Sequence, residues 1–147
     1  MIALDTNVLV YAHRGEMPEH QRAVDVVTQL LTGNEPVAFC WPVLHEFIAI
    51  VTNPRIFKPP TPARTALEQV EHWLSSPRAV LFSESARHFV TLSELIVVGD
   101  VRGAIIHDAR IAAICVDHGV RELLTSDRDF TKFSSLRVRN PIDGEDA

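Results

Sequence analysis

Short, unbroken apolar runs set between long stretches of helical period constrain this chain more than any other feature. Residues 2–4 (Ile2-Ala3-Leu4), 37–40 (Val37-Ala38-Phe39-Cys40) and 79–82 (Ala79-Val80-Leu81-Phe82) are apolar throughout. A strand with one wet face alternates polar and apolar residues, whereas a strand covered on both faces does not. Strands of that kind alternating with helices make an α/β fold around a mostly parallel sheet.

The helices follow from their punctuation. The first strand runs straight into a helix from 6 to about 13. Ala23, Val24, Val27, Leu30 and Leu31 then repeat at helical spacing, closed by Gly33. Pro42 suits the first turn of a helix that reaches about 52 and is ended by Asn53-Pro54. Thr61 reads as an N-cap with Pro62 in the first helical position, opening a helix to about 74. Ser83 reads as the cap of a helix to about 97. Gly103 precedes a helix to about 118 that Gly119 stops. Residues 123–125 and 136–138 complete the strands, and 143–147 read as an acidic tail. No repeat or linker divides the chain, so 1–147 is expected to form one domain.

The formal net charge is −5, which argues against a nucleic-acid binder that works through a basic surface. A protein that meets its substrate through a bound cation escapes that argument, because the count omits the metal. The two cysteines, Cys40 and Cys115, lie in apolar surroundings with no metal-type or redox-type pairing. They read as reduced, buried thiols of a cytoplasmic protein. Asp5 stands where a signal peptide would need its apolar run, and no stretch is long enough to span a bilayer.

Four carboxylates occupy positions where a carboxylate is inconvenient unless it is used. Asp5 and Asp127 each follow a strand, at the edge where open α/β sheets bind ligands. Taken alone, Asp5 is as readily a helix cap, and Asp127 a turn former in Ser126-Asp127-Arg128-Asp129. Glu46 is three residues after Val43 and four before Ile50, on the border of a stripe formed by Val43, Phe47, Ile50 and Val51. Asp108 repeats that placement between Ile105 and Ala112, in the opening turns of its helix. Glu46 alone could reach the surface or pair with an arginine. Two helices that each set an acid beside the apolar stripe are harder to dismiss.

If these acids converge, each pair at about 5 Å repels by ~3 kcal/mol at an effective dielectric of 20. Such a pocket must take up protons, recruit an arginine or hold a cation. All-oxygen ligands favour Mg²⁺ or Mn²⁺ over zinc. A divalent ion with open positions suits phosphodiester hydrolysis.

Four segments also carry a family resemblance: Leu4-Asp5-Thr6-Asn7-Val8-Leu9, Leu44-His45-Glu46-Phe47, His107-Asp108-Ala109-Arg110-Ile111-Ala112-Ala113 and Thr125-Ser126-Asp127-Arg128-Asp129-Phe130. In order and spacing they resemble the four motifs of PIN-domain ribonucleases, above all the VapC-type toxins of type II toxin–antitoxin modules. Val51-Thr52-Asn53-Pro54-Arg55 and Val138-Arg139-Asn140-Pro141 fit the same subgroup. The resemblance implies an α/β/α sandwich around a short parallel sheet, a homodimer, Mg²⁺ or Mn²⁺ at the carboxylates, cleavage of RNA and a cognate VapB-like antitoxin. It implies Asp5 and Asp108 as the most direct metal ligands, with Glu46 and Asp127 completing the pocket and orienting the attacking water. Asp129 is then a possible fifth acid or a turn cap, and Thr6, Asn7 and Ser126 hold the carboxylates and bound water.

Other residues carry less. Arg14, Arg55, Lys58, Arg110 and Lys132 are candidate phosphate contacts, each more readily a solvated surface charge. His13, His45 and His107 neighbour motif residues without forming a zinc-type pair. Trp41 and Trp73 read as core or interface residues, and the proline-rich stretch 52–62 as a wall of an RNA groove. Two competing readings stand beside the nuclease. One is a binding or regulatory domain whose acidic pocket docks basic partner residues. The other is a phosphatase, which the lack of an aspartate two residues after Asp5 and of a glycine-rich phosphate loop disfavours.

Overall fold

The computed structural model describes residues 1–143. Among them, strands β1 (Ile2–Leu4), β2 (Val37–Cys40), β3 (Ala79–Phe82), β4 (Glu122–Leu124) and β5 (Arg137–Arg139) form one parallel sheet in the order β3-β2-β1-β4-β5. Six helices flank it: α1 (Thr6–His13), α2 (His20–Leu31), α3 (Trp41–Val51), α4 (Ala63–Leu74), α5 (His88–Gly99) and α6 (Ile105–Asp117). A 3₁₀ helix, Arg128–Lys132, lies between β4 and β5. α1 packs on α2 and α3, α3 on α4, and α5 on α6. This is the α/β fold with a parallel sheet that the alternating pattern predicts, in the α/β/α arrangement that the family resemblance implies.

Every residue of β1 and β2 is buried, as the unbroken apolar runs require of strands covered on both faces. β1 lies at the centre, with Ile2 facing Val37 on one side and Glu122 on the other. Its carboxyl end therefore opens into the middle of the sheet edge, between the ends of β2 and β4. Phe39, Phe47, Leu4, Leu9, Leu44, Ile114, Leu123 and Leu124 fill the core around that strand. Trp73 also belongs to it, edge-on to Phe47 with ring centroids 4.9 Å apart, whereas Trp41 stays 41% exposed at the start of α3.

Several boundaries differ from the sequence expectation, each for a physical reason. α4 starts at Ala63 with Pro62 in the N-cap place, and Thr61 is not its cap. The Thr61 hydroxyl is taken instead by α1, within 3.0 Å of both His13 Nε2 and Arg14 Nη1. Ser83 caps nothing: residues 83–87 form a loop, and α5 begins at His88. The Ser85 hydroxyl, with that of Thr91, donates to Asp117 at the end of α6 (2.6 and 2.5 Å), fixing the loop across two helices. β4 and β5 each start and end one residue off the expected positions. Glu122 is drawn into β4 because its buried carboxylate accepts from Arg137 and Arg139 of the adjoining strand at 3.1 and 3.0 Å.

Gly119 ends the last long helix with φ +70°, a left-handed conformation that glycine adopts without strain. Cys40 and Cys115 are free and buried as expected, yet they meet, with Sγ atoms 4.0 Å apart. That contact and burial push the Cys115 thiol up. The expected acidic tail lies outside the described residues except for Asp143, which accepts a hydrogen bond from the Asn140 amide at 2.6 Å.

Candidate active site

Asp5 directly follows β1, and only 5% of it is exposed. Its Oδ2 accepts from the Thr125 hydroxyl at 2.7 Å and from the Asn7 amide at 3.4 Å. Asn7 Nδ2 also donates to Thr125 Oγ1 at 3.1 Å, and Asn7 Oδ1 accepts from the Ser126 N–H at 3.2 Å. Thr125 Oγ1 further accepts the Asp127 N–H at 2.9 Å. One short network thus ties the end of β1 to the end of β4 and fixes the turn that carries Asp127. Ser126 enters this network through its backbone.

Asp127 caps the 3₁₀ helix, its Oδ1 accepting the Asp129 N–H at 2.9 Å. Asp108, in the first turn of α6, faces the same place. Carboxylate oxygens of Asp108, Asp127 and Asp129 all lie within 4.8 Å of one another. Glu46, from the middle of α3, accepts the Thr6 hydroxyl on Oε2 at 3.0 Å. With Asp108 and Asp129 it lines a cavity of about 490 Å³ that Pro42, Ile105, His107 and Arg110 help to enclose.

The carboxylates feel one another. Burial is the largest influence on Asp5 and pushes its carboxyl up to about 6; hydrogen bonds from Thr125 and Thr6 oppose it, and Glu46 and Asp127 add repulsion. Asp108 is pushed up to about 7, first by burial and then by Asp127, Asp5, Asp129 and Glu46. Asp5 and Asp108 therefore ionise less readily than free carboxyls, the mark of acids crowded together out of water.

A family profile described as PIN domain matches residues 2–136. The chain is 36% identical over 145 residues to the VapC ribonuclease Mb2897 of Mycobacterium bovis, covering 99% of this chain and 98% of that protein. It is 36% identical over 143 residues to ribonuclease VapC25 of Mycobacterium tuberculosis, covering 97% and 100% of the two chains. The chain belongs to the VapC family of PIN domains.

The fold agrees with solved VapC structures. VapBC2 from Rickettsia felis bound to a promoter DNA fragment superposes with a TM-score of 0.70 at 21% identity, over 95% of this chain and 98% of that one. VapC20 of Mycobacterium tuberculosis, described as a Sarcin-Ricin loop cleaving toxin, gives 0.67 at 18% identity, over 89% and 93%.

Within this PIN domain the candidate residues separate. Asp5, Glu46, Asp108, Asp127 and Asp129 are brought to one place. The tightest group, however, is Asp108, Asp127 and Asp129, with Asp5 and Glu46 held beside it by Thr125 and Thr6. Arg110 lines the cavity and pairs with Glu84 from the loop after β3. Arg55 and Lys58 are exposed on the 52–62 stretch, and Lys132 on the 3₁₀ helix; none of the three lines the cavity.

Arg14 is already committed. It pairs with Glu16, donates to the Pro59 carbonyl at 2.9 Å and lies 4.4 Å over the Phe57 ring. His13, between Gln69 and Thr61, helps hold the same stretch, while His45 packs against Trp41. Sequence reasoning missed Thr125 as a site residue. Its signal was a hydroxyl at the position directly after β4, the strand that neighbours β1.

Proposed function

We propose that the chain is a Mg²⁺-dependent RNA endonuclease, the toxin of a type II toxin–antitoxin module, with Mn²⁺ able to substitute. The observation that carries this reading is the convergence of five acids from the β1–α1 junction, α3, α6 and the β4–β5 connection at one cavity and its wall, with Asp5 and Asp108 pushed up by burial and by neighbouring acids. The donor set fits a hard divalent ion: it is all oxygen, and the three closest carboxylates stand near enough to share one. Asp108, Asp127 and Asp129 would hold the ion, and Asp5 would complete its surroundings. When bound, such an ion supplies Lewis acidity toward a phosphodiester and toward water.

The residues of the chain divide the rest of the work. Thr125 and Asn7 keep Asp5 from rotating, and Thr6 does the same for Glu46. Glu46 Oε2 is taken by that hydroxyl, which leaves Oε1 to accept a proton from water in the cavity. Hydrolysis by water, without the ribose 2′-hydroxyl, yields a 5′-phosphate and a 3′-hydroxyl.

The names of the relatives support RNA as substrate, since those at 36% identity over nearly the whole chain are ribonucleases. The VapBC complexes among the structural neighbours support a VapB-like antitoxin as partner. An acidic pocket also suits a partner arginine, so the same carboxylates can serve inhibition before release and cleavage after it. Phe89, Val90, Val97 and Val98, exposed together on α5, favour a homodimer. Reduced, buried thiols, and the absence among the described residues of any helix long and apolar enough to cross a membrane, favour the cytoplasm.

The test is cleavage of total RNA by the purified chain with Mg²⁺, with EDTA, and with Asp5→Ala or Asp108→Asn. Cleavage that ends in EDTA and in both folded variants supports the reading. Undiminished cleavage in EDTA refutes it.

A further inference from the structure

We propose that Arg110 binds an RNA phosphate flanking the one that is cut, and that Glu84 holds Arg110 ready until RNA arrives; this deepens, and rests on, the nuclease reading above. The cavity is a poor place for a polyanion. Glu46, Asp108 and Asp129 line it, with Asp5 and Asp127 close by. A divalent ion answers for the phosphate under attack, but the neighbouring phosphates still face an acidic wall. Among the described residues lining the cavity, Arg110 is the one with a permanent positive charge. It lines the same cavity as Asp108, so a phosphate it binds lies beside the reacting one.

The other four basic residues singled out from sequence do not compete for this role. Arg14 is committed to Glu16, Thr61 and Pro59, while Arg55, Lys58 and Lys132 do not line the cavity. Glu84 follows β3 by two residues, on the same carboxyl edge of the sheet as Asp5. The Arg110 and Glu84 side chains are 48% and 32% exposed, so both partners meet water. An ion pair that open is weak, and exchanging a carboxylate for a phosphate leaves the guanidinium paired throughout. Arginine suits the exchange because its planar fork matches two phosphate oxygens as well as two carboxylate oxygens.

The experiment is fluorescence anisotropy of a short labelled single-stranded RNA with Mg²⁺, across a salt titration, in an Asp108→Asn background that stops turnover. Arg110→Gln is expected to weaken binding about tenfold, the loss of one charge-assisted contact, and to reduce the slope of log K against log salt by about 0.7, the loss of one phosphate contact on a single strand. Arg110→Lys keeps the slope and recovers part of the affinity. Glu84→Gln tightens binding about threefold, because Arg110 no longer gives up a partner. A merely structural arginine would change thermal stability and leave the salt slope alone. An Arg110→Gln chain that binds with its parent's affinity and slope, or a Glu84→Gln chain with no gain, overturns the proposal while RNA cleavage by the unsubstituted chain still stands. An unsubstituted chain that fails to cleave RNA with Mg²⁺ refutes the enzyme itself and takes the proposal with it.

Discussion

Thr125 does more than its size suggests. Its single hydroxyl donates to Asp5 and accepts from the Asn7 amide and the Asp127 N–H, so it joins the carboxylate of β1 to the turn after β4. Valine has the same shape without those bonds; it would take from Asp5 its shortest hydrogen bond and from the Asp127 N–H its acceptor, at a cost of about 1–3 kcal/mol. Thr125→Val is therefore expected to lower Mg²⁺ affinity about 10–100-fold, as loss of a residue that orients metal ligands does. Isothermal titration with Mg²⁺ measures it, and unchanged affinity would mean that Asp5 is positioned by other contacts. A complementary result concerns Asp108, whose charge opposes four neighbouring acids. Asp108→Asn is expected to raise the Tm of the metal-free chain, by roughly 2–4 °C for each kcal/mol of repulsion relieved, while abolishing cleavage. A lower Tm would mean that Asp108 is paired rather than repelled.

At the scale of elements, the stretch 52–62 is stapled to α1. Phe57 is buried, with Arg14 lying over its ring, and the Arg14 guanidinium also reaches Thr61 and the Pro59 carbonyl. Arg14→Ala removes the contact over Phe57 and both hydrogen bonds together, so faster amide exchange confined to 52–62 is expected, with a global loss of about 1–2 kcal/mol. Hydrogen exchange by mass spectrometry reads both, and unchanged protection in that stretch would discard the staple. The same contacts explain why the start of α4 was misplaced from sequence. Thr61-Pro62 looks like a cap and a first turn, but a threonine hydroxyl goes to the strongest nearby partner, and here that partner is Arg14, directly after α1 and 47 residues earlier in the chain. Ser83 fails as a cap for a related reason: the loop after β3 is fixed by Ser85 and Thr91 reaching Asp117.

For the whole molecule the carboxylate cluster links stability to pH and to metal. Asp5 and Asp108 have folded values of about 6 and about 7, above the ordinary 3.8. Between those limits the folded chain binds more protons than the unfolded one, so these groups cost stability as pH rises from about 4 to about 7, and the cost is complete above that. A divalent ion bound among these carboxylates would remove the cost. The rise in Tm on adding Mg²⁺ is therefore expected to be larger at pH 7.5 than at pH 5, where Asp5 and Asp108 are largely protonated in the folded chain. Equal shifts at both pH values would mean that the ion binds elsewhere.

The sequence by itself determined the α/β class and singled out the acids that the fold brings together. Unbroken apolar runs marked β1 and β2 as strands covered on both faces, although the same pattern in β3 lies at the sheet edge with Leu81 41% exposed; a carboxylate that follows a covered strand has few places to go. Asp5 and Asp127 were legible because each follows a strand, and Glu46 and Asp108 because each borders an apolar stripe. Tertiary structure decided which acids stand closest, that Thr125 and Thr6 hold their neighbours, that Cys40 meets Cys115, and that Arg14 is committed while Arg110 faces the cavity. These are contacts between residues far apart in the chain. Local pattern records whether a side chain faces inward; it carries no record of the distant partner that side chain will meet.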